Sequence, residues 1–370
     1  MTITFLKCSD SLYKQRIKSA CELYRQNKIV GKLCPALCDE KTVQYKICTN
    51  HLGGKISVLV NCDGVCSPGK TIDAVLKSSL SAYLGIMEQN LPELADSLPI
   101  HTLEDLRTRV SEKVNRALGT NDIYQGDVIQ RVFHKDYHSY ITSFGIKAFI
   151  VSVWSLVQQE EYLITKLFQH SSFFPKIYQS CGPFYLLESA PPGPILDPSV
   201  NPLIPETSTW KERVKVAIKL LDTVRVLDSG FNQTLHMCDI KGENFGFNSD
   251  GELKPIDPDD LLPDATLLKR YEMKAPCRRD KDCDILECLG ICQEGVCLKQ
   301  RKNNNLQGVC NMILKWGNSK IDLGVLRYPP SSIKKPLAVI IKKCIRPSIT
   351  DFKPDRVLEN KLRQLLLSSV

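Results

Sequence analysis

The sequence contains no stretch that is typical of a membrane span or of an N-terminal signal peptide. Its longest apolar run, residues 144–157, includes Lys147 and is shorter than the roughly 20 apolar residues that a transmembrane helix needs. The first eleven residues are too few and too polar for a signal peptide, and Cys8 interrupts them. The residues of this sequence therefore do not account for targeting or for membrane attachment.

Strong charge of one sign is also lacking. A net charge of +8 over 370 residues is mild, and the basic residues are dispersed. The short basic runs at 278–279, 299–302 and 334–335 are typical of solvated surfaces, and no nucleic-acid-binding motif accompanies them. We therefore predict no nucleic-acid partner.

Cysteine, by contrast, is abundant, with sixteen residues, most of which are grouped near the start of the chain and from residue 277 onward. Zinc sites prefer paired cysteines, often with histidine, yet His51 alone lies within the first group, no histidine lies within the second, and the spacings are irregular. Disulfides in an oxidising compartment are therefore favoured over zinc in the cytosol, although the pairing cannot be derived from the sequence. The disulfide candidates are Cys34, Cys38, Cys48, Cys62, Cys66, Cys277, Cys283, Cys288, Cys292, Cys297 and Cys310.

The strongest chemical signal is the pattern formed by Asp239, Lys241, Asn244 and Asp257. Phosphoryl transfer needs a carboxylate beside the acceptor hydroxyl and oxygen ligands that hold magnesium against the ATP phosphates. Protein kinases take the carboxylate from the Asp of a catalytic loop, and the ligands from an Asn shortly after it and from an Asp behind a short hairpin. The offsets in this sequence are those of such a kinase, and the lysine is placed to neutralise the transferring phosphate.

The surrounding residues predict the structure that this pattern requires. Residues 245–247 and 253–256 are typical of two short strands, and 248–251 of the tight turn that would bring Asp257 back beside Asn244. Upstream, the capping box at Thr209 and a helical periodicity ending at Gly230 predict a long helix.

The first half of the chain offers a phosphate-binding lysine and a partner for it. The strand-like run 71–77 ends in Lys77 and matches the kinase pattern V-A-I-K. The amphipathic segment 158–167 supplies the carboxylate that would order this lysine, with Glu161 as first choice and Glu160 as the alternative. No G-x-G-x-x-G loop is present, so no segment is assigned to cover the phosphates.

Three stretches resemble a known family. The run Leu235–Phe245 resembles the catalytic loop of the divergent protein kinase-domain proteins of the secretory pathway, most closely their cysteine-rich, endoplasmic-reticulum kinase-like family. Gly31–Cys38 resembles the N-terminal cysteine motif of that family, and residues 277–310 resemble its C-lobe cysteine cluster. The resemblance implies a location on the lumenal side of the endoplasmic reticulum or wider secretory pathway. It also implies contact with the membrane only through an N-terminal anchor that this sequence lacks.

Motifs and resemblance together predict an α+β, bilobal protein-kinase-like fold with a helical N-lobe insert and a disulfide-rich C-lobe insertion. We divide the chain into a cysteine-bearing N-terminal segment (1–50), a kinase-like N-lobe (51–188) and a kinase-like C-lobe (189–370). The helical insert spans about 80–157, and the cysteine cluster 277–310 replaces the activation segment.

The chain also departs from ordinary kinases. Met237 and Cys238 stand where kinases carry His and Arg, and without that Arg a phosphorylated activation loop has no anchor. The D-F-G motif is replaced by Asp257-Pro258-Asp259. Family members carry a calcium-binding insert, but 134–145, taken as a calcium loop, offers a single acid and ends in glycine, so we predict that calcium does not bind.

Three functions stay open. The first is a kinase that uses ATP with magnesium, or manganese as the alternative metal, to phosphorylate a secretory-pathway protein or glycan of unknown identity. The second is a pseudokinase scaffold or regulator in the endoplasmic reticulum lumen, and the third is a metal-bound, cysteine-rich interaction protein of the cytosol. Asn232, in the sequon Asn232-Gln233-Thr234, is a glycosylation candidate.

Overall fold

The computed structural model of the chain describes residues 9–49, 54–79, 81–83, 100–119, 126–197, 208–274, 276–316, 324–346 and 355–370. Backbone contacts divide the chain into two compact units. The first comprises Met1–Ala117 with Asn121–Ser189, and the second comprises Leu118–Thr120 with Ala190–Val370.

The first unit is built on a five-stranded antiparallel sheet with the strand order β1-β2-β3-β5-β4. Side chains of the second strand alternate between the core and the opposite face, as the period of two in a pleated strand requires. Its apolar residues Ile56, Val58 and Val60 are fully buried. The strands are β1 (Val43–Cys48), β2 (Lys55–Asp63), β3 (Thr71–Ser79), β4 (Ile177–Cys181) and β5 (Phe184–Glu188).

Helices surround this sheet, and most of them belong to the predicted helical insert. Most of the apolar run 144–157 forms the helix Ile146–Val157, which is buried on nearly every side, so its sequence is apolar nearly all round. The segments 84–99 and 120–125 of the insert lie outside the described residues. The helices are α1 (Asp10–Arg25), α2 (Cys34–Cys38), α3 (Leu103–Leu118), α4 (Val128–Val132), α5 (Tyr137–Phe144), α6 (Ile146–Val157) and α7 (Glu160–Leu167).

The region considered above as a calcium loop is largely helical, because α5 occupies most of residues 134–145. Within the described ranges, no helix is long and apolar enough to cross a membrane.

The N-terminal cysteine motif is tied directly to the sheet. Leu33 N–H donates to Ser180 O at 3.0 Å, and Gly182 N–H donates to Val30 O at 3.0 Å. Gly31 lies so close to β4 that a Cβ there would stand 2.1 Å from Ser180 O, so only glycine fits. The segment that the sequence analysis set apart as 1–50 thus contributes both this contact and the edge strand β1.

The second unit is mostly helical, with three two-stranded sheets. Its long helix α9 begins behind the predicted capping box of Thr209 and Glu212 and ends before Gly230. The helices are α8 (Gly193–Leu196), α9 (Trp210–Ser229), α10 (Asp264–Glu272), α11 (Asn305–Val309), α12 (Ser331–Ile345) and α13 (Arg356–Leu367). The strands are β6 (Leu235–Met237), β7 (Phe245–Phe247), β8 (Leu253–Pro255), β9 (Leu261–Pro263), β10 (Cys292–Gln293) and β11 (Val296–Cys297).

Every cysteine in the described part of the chain is disulfide-bonded. Cys277, Cys283 and Cys297 lie close enough together to bind a metal, but disulfides occupy their sulfur atoms. The structure therefore favours the oxidised interpretation over the zinc one. The pairs with both members among the described residues are Cys21–Cys38, Cys34–Cys181, Cys62–Cys66, Cys238–Cys288, Cys277–Cys292, Cys283–Cys297 and Cys310–Cys344. Cys48 is disulfide-bonded as well.

Candidate functional site

The catalytic-loop residues of the second unit are in direct contact. Lys241 Nζ lies 2.8 Å from Asp239 Oδ1. The side-chain amide of Asn244 donates to Asp239 Oδ2 and to Asp239 O, both at 3.0 Å. A carboxylate held by an ammonium and an amide in this way has a fixed orientation, which a general base requires.

The predicted hairpin returns the chain to this loop. Strands β7 and β8 pair antiparallel, and the Asn248 side chain closes the turn by accepting from Asp250 N–H and Glu252 N–H at 3.1 and 2.8 Å. Ile256 N–H then donates to Asn244 O at 2.8 Å. This bond holds the chain against Asn244 at the residue that immediately precedes Asp257. The hairpin therefore returns the chain to Asn244, as predicted from the sequence.

The loop carries an excess of negative charge. Burial, followed by the carboxylates of Asp197, Asp239 and Asp257, raises the pKa of Glu243. The hydrogen bond to Asp239 is the main cause that raises the pKa of Lys241. Several carboxylates lie around one ammonium here, and a bound divalent cation would reduce the repulsion between their negative charges.

A buried polar network fixes the strand that precedes Asp239. Asn305 Oδ1 accepts from Met237 N–H at 3.0 Å, and its Nδ2 donates to Leu235 O at 2.8 Å and to Asp228 Oδ1 at 3.0 Å. Both atoms of this amide are thereby used in binding β6 and the end of α9.

Arg301 completes the network from the other side. It donates to Asn305 Oδ1 at 2.8 Å and to His236 Nδ1 at 3.0 Å, and His236 Nε2 lies 2.9 Å from Asp264 Oδ1. Burial lowers the pKa of His236 and lowers that of Arg301 to about 10, so the guanidinium remains the cation of the network. Because Arg301 donates to Nδ1, His236 is a neutral ring that donates through Nε2.

In the first unit, the predicted lysine and glutamate are in contact. Lys77 Nζ lies 2.6 Å from Glu161 Oε1, and the two side chains are 15% and 5% exposed. Lys55 Nζ approaches the other oxygen, Oε2, at 3.4 Å. Glu160, the alternative, is exposed, whereas Glu161 is buried.

Gln159 reinforces this contact. Its Oε1 accepts from Ser79 N–H at 2.5 Å, and its Nε2 donates to Pro183 O at 2.8 Å. The end of β3 is thus fixed to the start of α7 two residues beyond Lys77 on one element and two residues before Glu161 on the other.

Comparison with protein families identifies the chain. Residues 153–347 match the family model described as the protein-kinase domain of FAM69, and residues 4–59 match the one described as the N-terminal, cysteine-rich, endoplasmic-reticulum domain of FAM69. The chain belongs to the FAM69 family. The predicted kinase-like α+β fold, the cysteine-rich endoplasmic-reticulum family and the presence of disulfide bonds are thereby confirmed.

The candidate residues relate differently to the FAM69 models. Asp239, Asn244, Asp257 and Glu161 lie within the range matched by the kinase-domain model, whereas Lys77 lies between the two matched ranges. The family therefore places the chain in the endoplasmic reticulum with a kinase-like domain, and the role of Lys77 depends on its contact with Glu161.

Sequence reasoning missed several residues of this FAM69 site. It did not single out Gln159, Lys55, Arg301 or Asn305. Nor did the disulfide candidates include the paired cysteines Cys21, Cys181, Cys238 and Cys344. The run Asn303-Asn304-Asn305 was the available signal, since buried asparagines must be hydrogen-bonded.

The sequon residue Asn232 is exposed, so a glycan there would meet solvent.

Proposed function

We propose that this FAM69 protein binds ATP with magnesium and transfers phosphate to a hydroxyl of a secretory-pathway protein or glycan. In this proposal Asp239 accepts the proton of the acceptor hydroxyl, and Lys241 neutralises charge on the transferring phosphate. Lys77, ordered by Glu161, pairs with the phosphates of ATP. Transfer takes place on the lumenal side, where an oxidising environment preserves disulfides.

The observation that carries the proposal is the grouping of Asp239, Asn244 and Asp257 by one hairpin. Asn244 contacts Asp239 through its side chain and the residue before Asp257 through its carbonyl oxygen. If the hairpin served only for packing, nothing would require a candidate base and two candidate metal ligands at these positions.

The donor set fits magnesium. Asn244 and Asp257 would supply an amide oxygen and a carboxylate oxygen, which are hard ligands of the kind that magnesium and manganese prefer. The amide NH₂ of Asn244 is engaged by Asp239, so its oxygen is the atom that would face the metal. When bound, the metal would neutralise the phosphate oxygens.

Nucleotide binding tests the proposal directly. The melting temperature of protein secreted through the oxidising pathway is measured with ATP, with magnesium and with both. A ligand present at 100 times its dissociation constant adds about 2.7 kcal/mol of stability, so a clear rise is expected only with ATP and magnesium together.

Variants separate the roles of the two aspartates. Asp257→Ala should abolish magnesium-dependent stabilisation by ATP. Asp239→Ala should keep it while any transfer falls by roughly 10²–10⁴-fold, the usual contribution of a general base. Asp250→Ala, at the exposed turn of the same hairpin, is the matched control and should behave like wild type. Equal ATP binding by wild type and Asp257→Ala would contradict the proposal.

The second candidate function is a pseudokinase scaffold or regulator. The observation that favours it is the loss of the kinase Arg and Phe at Cys238 and Pro258. A folded, fully disulfide-bonded wild type whose melting temperature does not respond to ATP in any metal would support this function over the first.

A further inference from the structure

A small closed turn from the cysteine cluster lies against the catalytic loop. Ile285 N–H donates to Cys288 O, and Cys288 N–H donates to Ile285 O, each at 2.9 Å. At its tip, Leu286 has a left-handed backbone (φ 50°) and an exposed side chain. A leucine adopts that conformation only where the surrounding structure imposes it, and such residues cluster at functional sites.

Three bonds attach the turn to the two residues that flank Asp239. The disulfide Cys238–Cys288 joins the turn to the residue before Asp239. Glu287 N–H donates to Cys238 O at 2.9 Å, and Ile240 N–H, on the other side of Asp239, donates to Glu287 Oε2 at 3.0 Å. Glu287 therefore holds the backbone on both sides of Asp239, once with its peptide group and once with its carboxylate.

The same turn is held from behind by the asparagine network. Asn303 Nδ2 donates to Glu287 O at 2.9 Å, and Asn303 Oδ1 accepts from Leu289 N–H at 3.0 Å. Arg301 Nε donates to that oxygen at 3.0 Å. Side chains at 301–305 thus fix the turn as well as the strand that leads to Asp239.

Cys238 stands at the position where an ordinary kinase carries the Arg that would bind a phosphorylated activation loop. Here the same position binds the cysteine cluster covalently. A disulfide does not depend on a modifying enzyme or on ionic strength, whereas an arginine–phosphate contact depends on both.

We propose that Glu287 is a positioning residue for Asp239 and that the Cys238–Cys288 disulfide holds it in place, so that the site needs no activation-loop phosphorylation. This inference rests on the proposed function. The hydrogen bond from Ile240 N–H needs an acceptor oxygen and not a negative charge, so glutamine at position 287 would serve and alanine would not.

The first test uses wild type, Glu287→Gln and Glu287→Ala, with magnesium–ATP and water as acceptor. In this reaction the bond from the γ-phosphorus to the bridging oxygen breaks, a bond to the water oxygen forms, and Asp239 takes the proton of the water. We expect Glu287→Ala to lower kcat about tenfold or more, the effect of about one hydrogen bond, with the Kd of magnesium–ATP within about threefold of wild type. Glu287→Gln should retain kcat within about threefold.

The matched control is Asp280→Ala. Asp280, in the same cluster, also accepts one backbone N–H, that of Cys292 at 2.9 Å, and its Oδ2 pairs with Lys302 Nζ at 2.7 Å. Its loss should lower stability and leave kcat unchanged. Wild-type kcat in Glu287→Ala, or a kcat in Glu287→Gln as low as in Glu287→Ala, would overturn the inference.

The second test removes the disulfide. Cys238→Ala/Cys288→Ala should retain magnesium–ATP binding and lose kcat at least as strongly as Glu287→Ala, whereas Cys277→Ala/Cys292→Ala, in the same cluster, should keep both. Intact-mass measurement should find active wild type without phosphate, and activity that requires phosphorylation would overturn the inference.

Failure of the inference can be told apart from failure of the proposed function. Wild type that binds magnesium–ATP without turning it over overturns the inference and leaves nucleotide binding standing. Wild type that does not bind magnesium–ATP overturns both. Hydrogen exchange of residues 236–247, which should accelerate in Glu287→Ala and not in Asp280→Ala, provides the check that does not depend on catalysis.

Discussion

Two groups of candidate functional residues, one in each unit, are held by different means. In the first unit, Lys77 and Glu161 meet as a largely buried ion pair, and Gln159 ties their two elements by hydrogen bonds. In the second unit, Asp239 follows a cysteine that is covalently bound to the cysteine cluster, and Asn305 holds the strand before it. An ion pair can exchange partners when a ligand arrives, whereas a cross-linked loop keeps one geometry. The difference matches the roles proposed for the two groups, a phosphate-binding lysine in the first unit and a preorganised base in the second.

The largest effect should come from the Cys34–Cys181 disulfide of the first unit. Cys34 and Cys181 are separated by 147 residues, and the chain-entropy relation gives about 5 kcal/mol for a loop of that size. Cys34→Ala/Cys181→Ala should therefore lower the stability of the first unit sharply. Hydrogen exchange followed through a thermal or denaturant series assigns the loss to one unit or the other.

The matched control for that prediction is Cys62→Ala/Cys66→Ala. These cysteines lie in the same unit with a separation of only 4 residues, for which the same relation gives about 2 kcal/mol. Equal losses in the two double variants would show that loop size does not govern the contribution of these disulfides.

The next effect concerns the ion pair itself. Glu161→Gln replaces the carboxylate that lies 2.6 Å from Lys77 Nζ with a neutral amide, which should cost about 3 kcal/mol, the upper end for a hydrogen bond between charged groups. Glu160→Gln, on the exposed side of the same helical turn, should stay within about 0.5 kcal/mol of wild type. Denaturant unfolding of the two variants measures the difference, and similar losses would show that the contact of Glu161 with Lys77 adds nothing to stability.

A smaller effect is expected in the second unit. Asn305→Ala leaves the Met237 N–H and the Leu235 carbonyl without their partner, at a cost of about 2 kcal/mol. Asn304→Ala removes a helix cap, worth about 1 kcal/mol. Exchange of the β6 amides should rise in the first variant alone, and unchanged protection there would mean that the disulfide suffices to fix the strand.

The last effect is a pH dependence. Burial is the main cause that raises the pKa of Asp228 from 3.8 to about 6, so the folded chain holds this proton more tightly than the unfolded chain. The resulting stabilisation is complete below about pH 4 and is lost as the pH rises through about 6. The loss has a limiting slope of about 1.4 kcal/mol per pH unit.

Asp228→Asn should remove this contribution. Urea unfolding from pH 4 to pH 7 compares the two proteins, and the difference between their unfolding free energies should change with pH over that interval. Parallel curves would contradict the assignment, since Arg356 Nη2, 3.0 Å from Asp228 Oδ2, would then keep the carboxylate charged.

Local signals made much of the fold predictable. The capping box at Thr209 and the turn residues 248–251 determine short-range structure, and the helix α9 and the hairpin β7–β8 followed where they were expected. The contact of Lys77 with Glu161 was predictable because a strand lysine and a helix carboxylate are a recurrent pair. The roles of these residues in phosphoryl transfer stay predictions.

The remainder depends on contacts between residues that are distant in the sequence. Asn305 binds Met237 across 68 positions, and Cys34 pairs with Cys181 across 147. Neither spacing nor periodicity encodes such contacts. The strand β1 was assigned to a separate segment for a similar reason. The cysteine motif that precedes β1 set residues 1–50 apart, and nothing in it indicates that β1 pairs with β2.

The Cys34–Cys181 disulfide sets a condition on the biosynthesis of the protein. A ribosome delivers Cys34 long before Cys181, while Cys21 and Cys38, which pair with each other in the native structure, emerge close beside it. Oxidation in order of appearance would use Cys34 prematurely, and the wrong bond would have to be exchanged after β4 had been made. The yield of native protein therefore depends on timing, because a thiol made early must stay reduced, or be recovered by isomerisation, until its partner is translated.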